Sequence, residues 1–251
     1  MVAALALAGA LGCSAGPLDV ATLQPESLQN GLVAHWMFDE GTGAVADDSS
    51  GNGRTGSILG TGWTWVGGRF GGALHFSGVD QVTVPGLPQA TQSYTVAGWV
   101  LFAAGEFNGM TATLLSTEAP GGGWALFATA AAVPGKGNYN FRYWDSPILG
   151  YSMATCECLT MGAWTHLAGV VDGVADTITL YVNGVAQATV ATSGPIQLGA
   201  TSLAMGRSNA AAPVPGPAWT TGALDDVAIY DRALVAQEIA DLVQAPAPNP
   251  M

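Results

Sequence analysis

From Leu32 onward the chain alternates short apolar runs with glycine-rich turns, a rhythm that admits few folds. The runs fall at Leu32–Glu40, Ala73–Phe76, Gln81–Val84, Tyr94–Phe102, Thr113–Thr117, Gly123–Thr129, Tyr139–Tyr143, Thr165–Val171, Thr177–Val182, Ala186–Ala191, Leu203–Arg207 and Leu224–Tyr230. Segments of this length, bounded by Gly, Pro, Asn, Asp and Ser, read as strands. Hydrophobic residues make up 49% of the chain, enough for a core, and its 35 glycines lie between the runs rather than in tracts. So many strands exceed what one open sheet holds, whereas two stacked antiparallel sheets would bury them. The expected fold class is therefore all-β, an antiparallel two-sheet sandwich.

Two local signals sharpen this. Asn183-Gly184, in YVNG, takes the positive φ angles of a two-residue turn and should join Thr177–Val182 to Ala186–Ala191. Ala233–Val243 places Leu234, Ile239, Leu242 and Val243 on one side and acids on the other, so one short helix closes the domain. Just before it, LDDVAIYDRAL sets Asp225 in a strand where simple alternation gives it the face of Val227 and Ile229. A carboxylate on a core face pairs with a cation, shifts its pKa or binds a metal. With six Lys and Arg in the chain, a metal is a serious candidate.

The first thirteen residues, MVAALALAGALGC, are a short apolar stretch ending in cysteine, too short for a mature membrane span. They read as a secretory signal. Ala10-Leu11-Gly12-Cys13 resembles a bacterial lipobox, which implies lipidation of Cys13; the alternative is a non-lipidated peptide cut near Ala15. An exported protein of the cell envelope or outer membrane is expected, or else a secreted one, with membrane contact through the lipid alone. Residues 14–30 read as a linker, 31–243 as the domain and 244–251 as a disordered tail. Cys156 and Cys158, in TCEC, are expected to form a disulfide, since export favours oxidation and a zinc site would lack nearby ligands.

The motifs GLVAHWMFDEGTG, DDSSGNGRTG, GRFGGALHFSG, YTVAGWV, WTHLAGVVDG, ITLYVNG and LDDVAIYDRAL, in this order, resemble laminin-G-like domains of the concanavalin A-like lectin and glucanase superfamily over roughly Gly31 to Val243. The resemblance implies a jelly-roll sandwich, frequently a bound calcium, and carbohydrate or protein recognition. Asp39 and Asp225 match acidic positions the family uses for calcium, and Asp48 is the third candidate ligand. First and last strands of a jelly roll lie side by side, which would bring Asp39 to Asp225, and the glycine-rich loop after Asp39 could add carbonyls. The competing reading of Asp47, Asp48 and Asn52 is turn-capping hydrogen bonds. Superfamily members that cut β-glucans carry E-x-D-x-x-E; the six glutamates here are scattered, so a non-enzymatic protein is expected. A glycoside hydrolase or polysaccharide lyase would need a carboxylate pair assembled from separate strands.

The net charge of −12 disfavours nucleic acid as a partner. His35, His75 and His166 each sit inside a strand pattern, without metal-ligand spacing or a G-x-S-x-G elbow. NYNFRYWD alternates Tyr139, Phe141 and Tyr143 with Asn140, Arg142 and Trp144. If the first set is core, the second can stack on a sugar ring and hydrogen-bond its hydroxyls. Alternatively, Trp144 packs under a loop and Arg142 pairs with an acid. Trp63, Trp65 and Trp219 are secondary candidates, while Trp99 and Trp164 read as core. The expected function is recognition of carbohydrate or glycoprotein with calcium fixing the loops; the alternative is an adhesive domain for another surface protein.

Overall fold

The computed structural model describes residues 26–88, 92–107, 111–120, 122–131, 136–146, 150–195, 197, 199–209 and 218–247. The leader with Cys13, residues 14–25 and residues 248–251 lie outside them. No helix among the described residues is long and apolar enough to cross a membrane. After a helical turn, α1 (Glu26–Gln29), come β1 (Leu32–Trp36), β2 (Val45–Ala46), β3 (Gly56–Leu59), β4 (Thr64–Gly67), β5 (Gly72–Ser77), β6 (Gln81–Val84), β7 (Tyr94–Leu101) and β8 (Ala112–Ser116). The chain continues through β9 (Trp124–Ala130), β10 (Gly137–Ser146), β11 (Gly150–Cys156), β12 (Thr165–Asp172), β13 (Thr177–Val182), β14 (Val185–Ala191), β15 (Leu203–Met205) and β16 (Thr221–Tyr230), and ends in α2 (Ala236–Gln244).

The strands form two antiparallel sheets, as the periodicity predicts. The first runs β14-β13-β12-β7-β16-β5-β4 with β1 also on β16; the second runs β11-β10-β9-β8-β15-β6-β3-β2. Between them lies one continuous core that includes Trp36, Phe76, Tyr139, Phe141, Tyr143, Leu180 and Val227. The Asn183-Gly184 turn joins β13 to β14 with φ of 49° and 81°. Cys156 and Cys158 are bonded to each other at the end of β11.

β1 ends at Trp36, not Glu40, because Phe38 takes a φ of 55° and turns the chain out of the sheet. β1 therefore covers only residues 227–230 of β16, and β5 covers 221–224. The two strands lie end to end along one side of β16, and Asp225-Asp226 falls in the gap between them. At this gap β16 carries a bulge: Asp226 has a φ of 52°, and three steps along β16 match two along β7. This corrects the expectation that Asp225 shares the face of Val227 and Ile229. The extra residue reverses the alternation. Val227 and Ile229 keep the inter-sheet core, while Asp225 is aligned with Trp99 on the outer face that Ala228 and Tyr230 also occupy.

α2 packs Ile239 and Leu242 on that outer face with Leu28, Ala97, Ala168 and Tyr230. Arg232 ties the termini down, donating to both Glu238 oxygens at 2.8 Å and to the carbonyls of Asn30 and Ser27. Two segments read as linker and tail thus carry structure: Leu28 is fully buried, and the Ala247 N–H reaches Asp226.

Candidate functional site

The junction of β1, β5 and β16 gathers oxygens around the turn Gly68–Gly72. Two N–H groups of this turn, Arg69 at 2.6 Å and Phe70 at 2.9 Å, donate to Asp225 Oδ2, and Gly72 N–H donates to Asp39 Oδ1 at 2.5 Å. Glycine is required here because a Cβ on Gly71 would collide with the Asp39 carboxylate and one on Gly72 would lie 2.6 Å from the Phe38 carbonyl. A Cβ on Gly68 would likewise run into the Gly72 carbonyl and the Asp225 carboxylate. Asp225 is fully buried, and its second oxygen, Oδ1, has no hydrogen-bond partner. Burial pushes its carboxyl up to about 7; the Asp226 and Asp39 charges add to the rise, while the Phe70 and Arg69 N–H groups oppose it. Asp39 is exposed and leaves the junction open to solvent on that side.

Asp48 does not join this junction through its hydrogen bonds. Its Oδ1 accepts from the His35 and Ser50 N–H groups and its Oδ2 from Arg54 N–H, at 2.8 to 3.0 Å. This is the turn-capping alternative, with the loop wrapped around the carboxylate. Among the described residues, no three His, Cys, Asp or Glu side chains converge as a metal site.

On the second sheet, Tyr139, Phe141 and Tyr143 are core, and Asn140, Arg142 and Trp144 point away from it, opposite Thr155, Met153 and Tyr151 of β11. The outward row is nevertheless largely engaged. Arg142 is buried and donates through Nε and Nη2 to Glu118 at 2.7 and 2.8 Å, with its guanidinium 4.9 Å from the Phe127 ring and 5.0 Å from Tyr151. Trp144 Nε1 donates to the same Glu118 at 3.0 Å. Asn140 bonds Thr129 and Thr155. Arg142 thus takes the acid-paired arrangement, and what remains open on this face is Tyr151, 47% exposed, and Met153, 39% exposed, beside half-buried Trp144. The Tyr151 and Trp144 rings meet edge-on at 5.5 Å.

A family of domains described as the concanavalin A-like lectin/glucanases superfamily, Laminin_G_3, matches residues 76–240. The chain belongs to this superfamily. Among solved structures, this concanavalin A-like chain is similar to domain 4 of AbnA, a GH43 extracellular arabinanase from Geobacillus stearothermophilus, in complex with arabinotriose. Identity is 26%, the match covers 85% of this chain and 98% of that domain, and the TM-score is 0.66. The binding domains of botulinum neurotoxin serotype D and of botulinum neurotoxin DC in complex with SialylT share its fold, at 13% and 12% identity and TM-scores of 0.64 and 0.65. The matches cover 87% and 86% of this chain but only 52% of each toxin domain. No curated protein matches the sequence.

One constellation in the lectin-like fold escaped the sequence reading. His35 Nε2 lies 2.5 Å from Asp226 Oδ1, and Ser49 Oγ lies 2.8 Å from His35 Nδ1. These are the residue types of a hydrolytic triad, but the His35 ring is fully buried and Ser49 also donates to the His35 carbonyl. The three residues clasp the loop at 49 to β1 and β16. His75 pairs with Glu106 at 2.7 Å, and burial lowers His166 to about 3, which keeps it neutral beside Trp99. Of the other tryptophans, Trp63 and Trp65 pack edge-on at 6.1 Å, Trp219 stacks on Arg207 at 4.8 Å, Trp99 is buried and Trp164 half-buried.

Proposed function

We propose that this protein is a non-enzymatic carbohydrate-binding module of an exported protein, that it carries a calcium ion at the β1–β5–β16 junction, and that sugar is recognised on the outer face of the second sheet. The observation that carries the reading is the Tyr151–Trp144 pair, held from below by the Arg142–Glu118 bridge. An aromatic ring locked in place stacks on a sugar at little entropic cost. The arabinotriose complex of the similar arabinanase domain supports the ligand class. Arg142, Trp144 and Asn140 are then supports for the platform, and Tyr151 makes the contact. On a broad glycan array the purified protein binds one glycan class, and Tyr151→Ala lowers the affinity about tenfold, the scale of one aromatic stacking contact, with the fold retained. An array that stays blank with folded protein would turn the reading toward an adhesive domain with a protein partner.

The junction fits a hard cation. Calcium takes six to eight oxygens, and the Asp39 and Asp225 carboxylates with the Phe38 and Gly72 carbonyls supply the start of such a set, water completing it. Asp48, occupied by three N–H groups, is not a ligand in this reading. Bound calcium would supply the positive charge that the unpartnered Asp225 Oδ1 lacks, and would hold the Gly68–Gly72 turn against β1. Calcium at about a hundredfold over its dissociation constant stabilises the fold by about 2.7 kcal/mol, a rise in Tm of roughly 5–10 °C for a chain of this size. Thermal melts in calcium and in chelator check this; identical curves, with no metal in the purified protein, would remove the site.

A further inference from the structure

At one end of the sandwich the sheets part around a cavity of about 610 Å³, within the range of small-molecule sites. Its lining comes from the first residues of β7 and β9 and the last of β10, β12 and β16. None of its lining residues belongs to the acidic junction, and it lies on the Tyr143 side of β10, opposite the Tyr151 face, although Gly123 and Gln197 of its lining bond the Trp144 backbone. One wall is aromatic: Tyr94 lies 5.9 Å from Trp124 and 6.4 Å from Tyr143, and all three are buried, so the wall is rigid before any ligand arrives. Gln92, Gln197, Asp172 and Asp231 also line the cavity. The Gln197 amide donates to the Pro195 carbonyl at 3.0 Å, and Asp172 Oδ1 accepts from the Val174 and Ala175 N–H groups, which leaves Gln197 Oε1 and Asp172 Oδ2 without a hydrogen-bond partner among the described residues. The one cation among the described lining residues, Arg232, is held by both Glu238 oxygens and two backbone carbonyls. A smaller lobe of about 110 Å³ shares Gln92, Tyr143 and Asp172 and extends to Gly194 and Pro195.

We infer that this two-lobed cavity binds the end of a neutral oligosaccharide, one sugar against the Tyr94–Trp124–Tyr143 wall and the next in the smaller lobe. An apolar aromatic wall suits the C–H groups of a sugar ring, and carboxamides and carboxylates suit its hydroxyls. Three carboxylates, Asp172, Asp231 and Asp176 of the smaller lobe, with no unengaged cation among the described lining residues, in a chain of net charge −12, repel uronate, sulfate and sialate groups. The half-enclosed shape admits a chain end, whereas the open sheet face can accept a chain along its length. This site uses other side chains than the Tyr151 face and stands whether or not that face binds sugar.

The test is calorimetric titration of the purified protein with arabinotriose and other neutral trisaccharides, and with sialyllactose as the anionic counterpart. A neutral trisaccharide binds and sialyllactose does not. Gln197→Ala, which removes a carboxamide, and Ala200→Phe, which fills the cavity, each weaken that binding at least about tenfold with Tm within about 2 °C of the parent. Should Ala200→Phe fail to fold, Gln197→Ala decides alone. Loss on Tyr151→Ala with full affinity in the cavity variants would favour the open face and overturn the cavity. Equal binding of sialyllactose, or no binding of any neutral trisaccharide at millimolar concentration, would overturn it as well.

Discussion

Asp225→Asn raises the melting temperature of the calcium-free protein at pH 8 and flattens its pH dependence. In the folded chain the buried Asp225 carboxyl keeps its proton until about pH 7, against 3.8 when exposed. Between those limits the folded state binds more protons than the unfolded one, so this group's contribution is fully present below about pH 4 and declines as pH rises to 7. The decline is on the order of 4 kcal/mol, from 1.36 kcal/mol per pH unit over the interval. Asparagine keeps an oxygen for the Arg69 and Phe70 N–H groups and puts an uncharged amide in place of the unpartnered Oδ1, near the Asp226 and Asp39 charges. Calcium reverses the order: it favours the ionised carboxyl, so the parent protein gains and the variant does not. Melts from pH 4.5 to 8, in calcium and in chelator, separate these effects. A parent-minus-variant difference that does not change with pH would show that burial does not hold the proton on Asp225. Below this window other groups take over, because Asp48 and Asp80, both held low by the hydrogen bonds they accept, give up stability as pH falls through their pKa values.

Arg142→Ala destabilises by about 3–5 kcal/mol, the cost of leaving a buried carboxylate without its partner. The Glu118 side chain is only 1% exposed, and it accepts from Arg142 twice and from Trp144 once. Lysine cannot replace the two-pronged contact or the stacking between Phe127 and Tyr151, so Arg142→Lys recovers little. Glu118→Leu combined with Arg142→Met recovers most of the stability, because the pair is removed together. Urea unfolding of the three variants gives the comparison; a loss below about 1 kcal/mol for Arg142→Ala would mean that water reaches Glu118. The same result bears on sugar recognition. A binding defect in Arg142→Ala reports the collapse of the platform, and only exposed Tyr151 tests the contact itself.

Much of the sandwich was legible. β7, β12 and β16 carry long apolar runs because they are buried at the centre of the first sheet, β13 beside them alternates, and hydrophobic periodicity reports burial. β2, β3 and β4 escaped notice because they are short, half-exposed and set among turn residues. β11 escaped too: in Gly150–Cys156 only Ala154 is buried, and pairing with β10 rather than composition makes it a strand.

The candidate site divides in the same way. The sequence alone determines that carboxylates sit at Asp39 and Asp225, that glycines at 68, 71 and 72 leave room for close backbone approach, and that Asn183-Gly184 turns the chain, since each depends on the chemistry of neighbouring residues. Tertiary structure decides what those groups meet. An extra residue at Asp226 moves Asp225 from the core face to the outer one, and β1 and β5 share one side of β16, which brings the Gly68–Gly72 turn to both acids. Glu118 reaches Arg142 from 24 positions away, and Asp226 reaches His35 from 191. Local propensity acts over a few residues, whereas a buried charge is satisfied by whichever partner the packed sheets bring within hydrogen-bond distance, and that distance exists only in the folded chain.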